Sequence, residues 1–532
     1  MSLGSLLAYG RTVWDLAGLI ARPITPENCR NLVRQRMRTR EERFLALVGE
    51  MIYQTPRSPY LQLLKHAGVE EGDIRRMVQE GGVERSLEAL RDNGVYLTFE
   101  EFKGLTDVVR GSRTFRFSER DFDNPRQDPG VRMRTGGTRS AGVPVNVSLA
   151  YIADQRAPAR RLMLEALGGG GSAPTVLWLF SRRAVGMLWW ISLSHTGQPP
   201  RRWFFIANPG KDQTTRGHLA MFRIGQIVGR LRGVHVPYPE FAPFEATGMV
   251  LDTVIEYRDR HGMCILVTSP SAAVRLAALA LARGDTLNGV TIIGDAEPLT
   301  PAKAEEIRRT GARIGSSYAF REAGSIGAPC AYPEAPDDMH FLEDGFAMIL
   351  RRRPIAGAGE VNAFMFSSLL PSASKIMLNV ESDDFGEVIE RRCGCLWDDL
   401  GLRRHLAYVR SFTKLTGEGM TVLGTETIKI LEEVLPREFG GASVDYQLLE
   451  AEDDQNLTRL FLIISPVVGQ IDEQRAATRF REELEKGSGR IGLWEGTGTI
   501  LPVRRYPITT PAGKILPFYT QATAKAIRQQ AG

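Results

Sequence analysis

The sequence predicts an α/β protein: a large N-terminal domain of parallel-rich sheets and helices, followed by a small α+β C-terminal module. Two patterns carry this expectation. Between residues 263 and 314, short apolar β-type runs alternate with helical stretches, the pattern of right-handed βαβ units on a parallel sheet. Beyond residue 410 the order becomes helix, strand, strand, helix, which reads as a separable α+β unit. The 532 residues leave room for several domains at roughly 150 residues each.

Charged residues make up 24% and hydrophobic residues 43%, the balance of an ordinary soluble globular chain. That balance excludes disorder, collagen-like repeats and a disulfide scaffold. Lys+Arg 67 against Asp+Glu 62 gives a net charge of +5, too small an excess to argue for a nucleic-acid or membrane surface. The N-terminal apolar stretch is broken by Arg11 and Asp15 and lacks the layout of a signal peptide. The richest apolar region, Val176 to Leu193, is split by Arg182 and Arg183, so neither part is long enough to span a bilayer. Five cysteines, an odd and sparse set, fit a reducing cytoplasm.

Residues 1 to 125 read as helical and charge-rich, with helices at Thr39 to Val48 and Val83 to Leu90 and a turn at Asn93-Gly94. The glycine run Gly168 to Gly171 reads as a flexible surface loop. Met263 to Thr268 is a strand, and Ser271 is the expected N-cap of a helix over Ala272 to Arg283. Val290 to Ile293 is the next strand. Thr300-Pro301 starts a further helix with proline in its first position, Gly311 ends it, and Ala312 to Ile314 is a third strand. In the C-terminal module, Thr425 to Leu435 is an amphipathic helix stopped by Pro436. Val444 to Leu449 and Leu457 to Ile464 are strands joined by the polar turn Glu452 to Asn456, and Asp472 to Lys486 is helical. The boundary falls at Arg410, giving domains 1–409 and 410–532. Trp178, Trp189, Trp190, Trp203, Phe204 and Phe205 read as an aromatic-rich strand pair in the core rather than an acid pocket, and Arg201 and Arg202 as a solvated face.

Four segments can carry chemistry. Thr135-Gly136-Gly137-Thr138-Arg139-Ser140-Ala141-Gly142-Val143-Pro144 has the hydroxyls and glycines of a loop that wraps phosphate oxygens, without the Gly-Lys-Ser/Thr ending of a Walker loop. Taken alone, such a cluster is more often an ordinary turn than a phosphate loop. Ser316-Ser317-Tyr318-Ala319-Phe320-Arg321-Glu322-Ala323-Gly324 follows the third strand, where α/β proteins bind ligands. An aromatic there can stack on a base and a carboxylate can hold Mg²⁺; an ordinary loop with a buried tyrosine is the alternative. Asp383-Asp384-Phe385-Gly386-Glu387 offers a carboxylate for ribose hydroxyls, or simply good turn chemistry. Thr509-Thr510-Pro511-Ala512-Gly513-Lys514 places a lysine on a Pro/Gly loop.

In this order and at these separations, the four segments resemble the adenylate-forming superfamily of acyl-CoA synthetases, adenylation domains and luciferases. They match its phosphate loop, Tyr-Gly-x-Thr-Glu, Thr-Gly-Asp and Pro-x-x-Gly-Lys motifs. Gly294-Asp295-Ala296-Glu297-Pro298-Leu299 resembles the segment that precedes the tyrosine motif. The family's hinge arginine corresponds to Arg410, followed by Ser411-Phe412-Thr413-Lys414. The resemblance spans residues 50 to 520. Within the superfamily the chain is most similar to phenylacetate-CoA ligase and coenzyme F390 synthetase-type proteins, through Tyr53 to Tyr60, Leu97-Thr98-Phe99-Glu100-Glu101-Phe102 and Met339-His340-Phe341-Leu342-Glu343-Asp344. Those relatives are shorter, which places insertions within 150–250.

The resemblance implies two half-reactions. A carboxylate attacks the α-phosphate of ATP, forming an acyl-adenylate and pyrophosphate; a thiol of CoA or a carrier-protein phosphopantetheine arm then displaces AMP. Thr135, Gly136, Gly137 and Thr138 would grip the β- and γ-phosphates, with Ser317 beside the nucleotide. Tyr318 would lie on adenine, Asp384 would bind the ribose, Glu322 would coordinate Mg²⁺, and Lys514 would bridge the α-phosphate and the acid. Arg410 would serve the nucleotide and the hinge about which the C-terminal domain swings. Cys330, His340, Cys393 and Cys395 form a Cys-x9-His…Cys-x-Cys set, and some members of the subgroup hold zinc with similarly placed residues. Three thiolates and an imidazole favour a structural ion; two unrelated cysteine pairs are the alternative. Cys29 and Cys264 read as core. A homodimer is compatible with the resemblance.

Departures from the family pattern are Arg139-Ser140-Ala141 within the phosphate loop, Ala319 for glycine, Arg321 for threonine or serine, and Ser382-Asp383-Asp384 for Thr-Gly-Asp. Two other functions remain open: adenylation with a nitrogen nucleophile or nucleotidyl transfer as second step, and a degenerate nucleotide-binding homologue with a non-catalytic role. The acid and its acceptor are not legible.

Overall fold

The structure is a computed structural model that describes residues 14–126, 130–134, 144–170, 173–179, 185–206, 223, 226–227, 230–231, 237–320, 322–355, 359–411, 416–417, 420–421, 424–452, 458–487, 500–509 and 515–520. Thr135, Gly136, Gly137, Thr138, Arg321, Lys514 and the segment Phe412 to Lys414 lie outside the described residues.

A six-stranded sheet forms the first layer. Its order is Arg313–Ser316, Val290–Gly294, Cys264–Thr268, Thr175–Leu179, Arg202–Phe205, Glu240–Phe241, and every neighbouring pair is parallel. The runs Cys264–Thr268, Val290–Gly294 and Thr175–Leu179 are buried at every position. Parallel strands are covered on both faces by their crossover helices, which is why these segments are apolar without alternation. Val185–His195, Thr247–His261, Pro270–Arg283 and Pro301–Arg308 supply helices between the strands.

The expected strand–helix alternation from 263 to 314 is present, with one correction at a helix start. Ser269, not Ser271, is the N-cap: its Oγ accepts from the Ala272 amide at 3.3 Å, and Pro270 occupies the first helical position. Proline is suited to that position because its missing N–H has no intrahelical partner there. Ser271 instead meets Glu297, whose Oε2 accepts from the Ser271 amide at 3.0 Å and hydroxyl at 2.6 Å.

The second sheet has seven strands and is antiparallel throughout. Its order is Tyr318–Phe320, Gly324–Pro329, Met339–Phe341, Arg404–Ser411, Val380–Glu390, Gly359–Ser368, Phe346–Ile355. It joins the parallel sheet directly, since Arg313–Ser316 runs through Ser317 into Tyr318–Phe320. Helices of the N-terminal region, among them Arg40–Val48, Pro59–His66 and Glu71–Asp92, pack one face of it through Phe44, Leu64, Val78 and Leu87 against Phe341, Phe364 and Phe366.

The C-terminal module is α+β, as expected. Its mixed sheet runs Ile500–Arg504, Thr458–Ile464, Tyr446–Glu452, Phe518–Thr520, with Glu473–Gly487 packed on it. Pro436 does not stop the preceding helix. Gly424–Lys429 passes through a π-turn at Ile430–Val434 into Leu435–Phe439, and Gly440 at φ 84° ends it. The π-turn shifts the hydrogen-bond register where proline has no N–H to give.

Two further readings change. Trp178 and Trp203 to Phe205 are the expected buried strand pair, with Trp178 opposite Phe204. Trp189 and Trp190, however, lie on the helix Val185–His195, in the core cluster that holds Trp203, whereas Trp178 and Phe204 belong to another. The glycine run begins as a helix terminus rather than a free loop: Gly168 adopts φ 91°, and the Gly169 amide donates to Leu164 O at 2.7 Å. A Cβ on Gly169 would stand 2.6 Å from Ile265 Cδ1, so glycine is required there by close packing. Cys29 and Cys264 are in the core, at 0% exposure. Among the described residues, no helix is long and apolar enough to cross a membrane.

Candidate functional site

The loops at the carboxyl ends of the parallel strands bring the central motifs together. After Val290–Gly294 the chain enters Asp295-Ala296-Glu297, with Ala296 at φ 73°. After Arg313–Ser316 it enters Ser317. The two loops are tied by Ser317, whose amide donates to Gly294 O at 2.8 Å and whose hydroxyl donates to the same oxygen at 3.1 Å. Tyr318 then donates its hydroxyl to Asp384 Oδ2 at 2.7 Å. Burial, with the Asp384 charge second, pushes the Tyr318 phenol well up, so it stays protonated and donates. The expected adenine-stacking and ribose-binding residues are thus in direct contact.

Arg410 stands beside this pair. Asp384 is opposite Ser411, and Phe385 opposite Arg410, in the antiparallel register. The Arg410 guanidinium is held by Asp337 Oδ2 at 3.0 Å. Asp337 also accepts from the backbone amides of Tyr408 at 2.9 Å and Val409 at 3.1 Å. Sequence reasoning missed Asp337, since it lies in the loop just before the Met339 to Asp344 segment and belongs to no motif itself.

Glu322 is 7% exposed and carries a partner the motif did not foretell. Lys103 Nζ sits against the Glu322 carboxylate and 3.0 Å from Glu119 Oε1, beneath the rings of Phe99 and Phe102 at 5.9 and 5.8 Å. Lys375, fully buried, continues the chain: its Nζ donates to Glu119 O and to Asp123 Oδ1, each at 2.7 Å. Burial works to raise the Glu322 carboxyl, but the Lys103 charge and hydrogen bond overcome it and hold the group low. Three carboxylates face two ammoniums, and Lys103 marks a position between two buried carboxylates where a cation resides. A Mg²⁺ ion held by Glu322 would take over oxygens that Lys103 now engages. Lys103 directly follows the Leu97 to Phe102 segment, so its signal in the sequence was a lysine adjoining a recognisable stretch.

The four cysteine/histidine residues come together. Their ligand atoms lie within 4.8 Å of one another. His340 Nε2 is 3.4 Å from Cys393 Sγ and 3.1 Å from Cys395 Sγ. Tetrahedral zinc, with bonds of about 2.0–2.3 Å, would set such N···S separations near ~3.5 Å. His340 Nδ1 is 2.9 Å from Leu402 O, which makes Nδ1 the protonated nitrogen and leaves the Nε2 lone pair facing the sulfurs. His340 is 0% exposed, and Cys330 and Cys395 are 3% exposed. The Cys330 hydrogen bond to Cys395 holds the Cys395 thiol down and, from the other side, pushes Cys330 up. A dication is the group this donor set fits. Beneath it, Asp338 Oδ1 lies 2.6 Å from His405 Nδ1, and Asp338 also pairs with Arg391; Cys330, Asp338 and His405 form a second, adjoining group of ligand type.

No protein-family model matches the sequence, and no curated protein matches it. Among solved structures, the chain is similar to 2-hydroxyisobutyryl-CoA ligase in its postadenylation state. With 2-HIB-AMP bound, that ligase matches at a TM-score of 0.52 and 14% identity, over 96% of this chain and 94% of the other. With R3-HIB-AMP bound, it matches at a TM-score of 0.52 and 13% identity, over 95% and 92%. Identity at this level speaks to the fold. Over nearly its whole length, the chain has the fold of an adenylate-forming CoA ligase.

Proposed function

We propose that this chain is an AMP-forming acid–thiol ligase, which activates a carboxylic acid as its adenylate and passes the acyl group to a thiol of CoA or a carrier protein. The observation that carries this reading is the Tyr318–Asp384 contact of 2.7 Å, at the carboxyl ends of parallel strands where this architecture binds ligands. Two segments selected for an adenine platform and a ribose ligand, 66 residues apart, meet through one hydrogen bond.

In this reading Tyr318 presents its ring to adenine and Asp384 accepts from the ribose. Thr135, Gly136, Gly137 and Thr138 grip the β- and γ-phosphates. Lys514 supplies positional charge between the α-phosphate and the attacking carboxylate rather than a proton. Glu322 and Glu119 offer the oxygen ligands for Mg²⁺, which when bound would neutralise phosphate charge as it develops. Cys330, His340, Cys393 and Cys395 hold a structural Zn²⁺. Residues 1–409 and 410–532 act as body and lid, with Arg410 at the pivot. The subtype is that of phenylacetate-CoA ligase-like proteins, and the chain works in the cytoplasm.

Pyrophosphate exchange into ATP, run with Mg²⁺ and a panel of aryl, aliphatic and dicarboxylic acids, tests the reading. Exchange with one acid class, lost in Lys514→Ala, is the expected result. ATP binding without exchange for any acid, or full exchange in Lys514→Ala, would overturn it.

A further inference from the structure

Arg156 and Arg160 stand one helical turn apart, where the π-turn Ile152–Arg156 runs into the helix Ala157–Ala166. They are 4% and 3% exposed. The Nε of each is buried without a hydrogen-bond partner. Arg160 lies over the Trp189 ring at 4.2 Å and donates to Ser192 Oγ at 3.0 Å. Arg156 faces the Tyr151 ring at 5.8 Å and forms no ion pair among the described residues. A guanidinium cannot shed its proton at working pH, so it must be neutralised where it stands.

Among the described residues, Asp295 is the acid whose charge reaches both arginines, and its Oδ2 is already engaged by Trp189 Nε1 at 2.7 Å. Among the described residues, two buried guanidiniums against one carboxylate leave a positive charge uncompensated. On this face the buried Arg36, by contrast, is matched, by Asp344 at 3.7 Å and Asp154 at 3.8 Å. Burial pushes Arg160 down to about 9, with the Arg156 charge adding to it.

The position is specific. Asp295 directly follows the strand Val290–Gly294, whose last carbonyl accepts from Ser317. On the other side, Tyr151 donates its hydroxyl to Ala323 O, next to Glu322. Gln155, adjoining Arg156, pairs with the backbone of Ser325. The arginines therefore lie between the loop after Gly294 and the loop that carries Tyr318 and Glu322.

We propose that Arg156 and Arg160 form an anion subsite in the acid-binding region, and that the acid this chain activates bears a second carboxylate. This rests on the acid-ligase reading above. The distal carboxylate completes the charge balance of the subsite, while the other carboxylate remains free to attack the α-phosphate. Acids of equal length without the second carboxylate would leave the two guanidiniums to share the single carboxylate of Asp295.

The test compares malonate, succinate and glutarate with propionate, butyrate and valerate, in wild type, Arg156→Met and Arg156→Lys. Pyrophosphate exchange, calorimetric binding of the acids and of ATP, and the melting temperature of the unliganded chain are read together. Wild type should favour one dicarboxylate by about ten- to a hundredfold, the range of a charge-assisted hydrogen bond. Arg156→Met should lose that preference, keep ATP binding and melt higher, because it removes a buried cation without a partner. Arg156→Lys should keep part of the preference. Equal use of the two acid series, or an unchanged preference in Arg156→Met, overturns the proposal. A lower melting temperature with unchanged preference would mark Arg156 as structural, and weakened ATP binding would mean that the anion is a nucleotide phosphate. Absence of exchange with every acid would reject the ligase reading alone: dicarboxylate binding lost in Arg156→Met would still support the subsite, and no dicarboxylate binding would overturn it.

Discussion

The Asp337 carboxylate grips Arg410 at 3.0 Å while accepting the amides of Tyr408 and Val409. Tyr408 adopts φ 53° in the middle of a strand, a left-handed conformation that costs a non-glycine residue about 1–2 kcal/mol. One side chain thus fixes a strained backbone and the direction of the arginine that borders Asp384. Next in the chain, Asp338 holds His405 and Arg391 beside the cysteine cluster, so consecutive aspartates link the candidate metal centre to the candidate hinge.

Asp337→Ala should release Arg410 and leave two amides without their acceptor, at about 1–3 kcal/mol for each buried group left unpaired. Hydrogen exchange of the Tyr408 and Val409 amides is the direct measurement. Protection equal to wild type at both would refute the clasp.

Lys103→Met should strand Glu322 and Glu119, and breaking a buried pair from one side costs about 3–5 kcal/mol. The sign with pH follows from the two shifts. Glu322 is held below its ordinary value of 4.5, so its stabilisation is present above that value and is lost as pH falls through the lower, folded one. Lys103 is held above 10.5, so its share is full below 10.5 and is lost only as pH rises past the folded value. Denaturant melts should find Lys103→Met less stable at neutral pH and less sensitive to acid than wild type. An unchanged acid limb would show that the pair does not govern it.

Chelation should unfold part of the molecule before it affects nucleotide chemistry. Metal analysis is expected to find one Zn²⁺ per chain, reduced in Cys395→Ser. The melting temperature should fall on treatment with a strong chelator and recover on Zn²⁺ addition. A metal-free chain with the same melting temperature as the purified protein would dismiss a structural ion.

Glu306 predicts a pH dependence between the parallel-sheet helix and the C-terminal module. Burial pushes its carboxyl up to about 7, while its oxygens accept from Ser443 N at 2.8 Å and Ser443 Oγ at 3.2 Å. A group raised in the folded state contributes most below its unfolded value of 4.5, and the contribution is lost as pH rises towards 7. Glu306→Gln should flatten that dependence. A wild-type stability independent of pH from 4.5 to 7, with Gln identical, would count against the assignment.

Segments whose structure is set locally were legible. The strands at 264–268 and 290–294 declared themselves by unbroken apolar runs, and Thr300-Pro301 by its capping chemistry, with Thr300 Oγ1 accepting from the Lys303 amide at 3.4 Å. The antiparallel sheet from 318 to 411 was not read. Its longest hairpin, Phe346–Ile355 with Gly359–Ser368, includes Arg351, Arg352 and Arg353, whose charges hide the alternation. Part of their compensation comes from the buried Glu381, which pairs with Arg351 and Arg353. The Cys-x9-His…Cys-x-Cys spacing announced a cluster, and the fold gathered it.

By itself, the sequence determined which chemical groups were available: Tyr318, Glu322, Asp384, Lys514 and the four metal-type ligands, each carried by a short motif. Only the tertiary structure decided their partners. Lys103 and Glu322 are 219 residues apart, and Arg156 reaches the charge of Asp295 only after helix and strand have packed. A motif is a property of neighbours along the chain, whereas the electrostatic state of a buried group depends on every charge within a few ångströms, which the chain's order does not record.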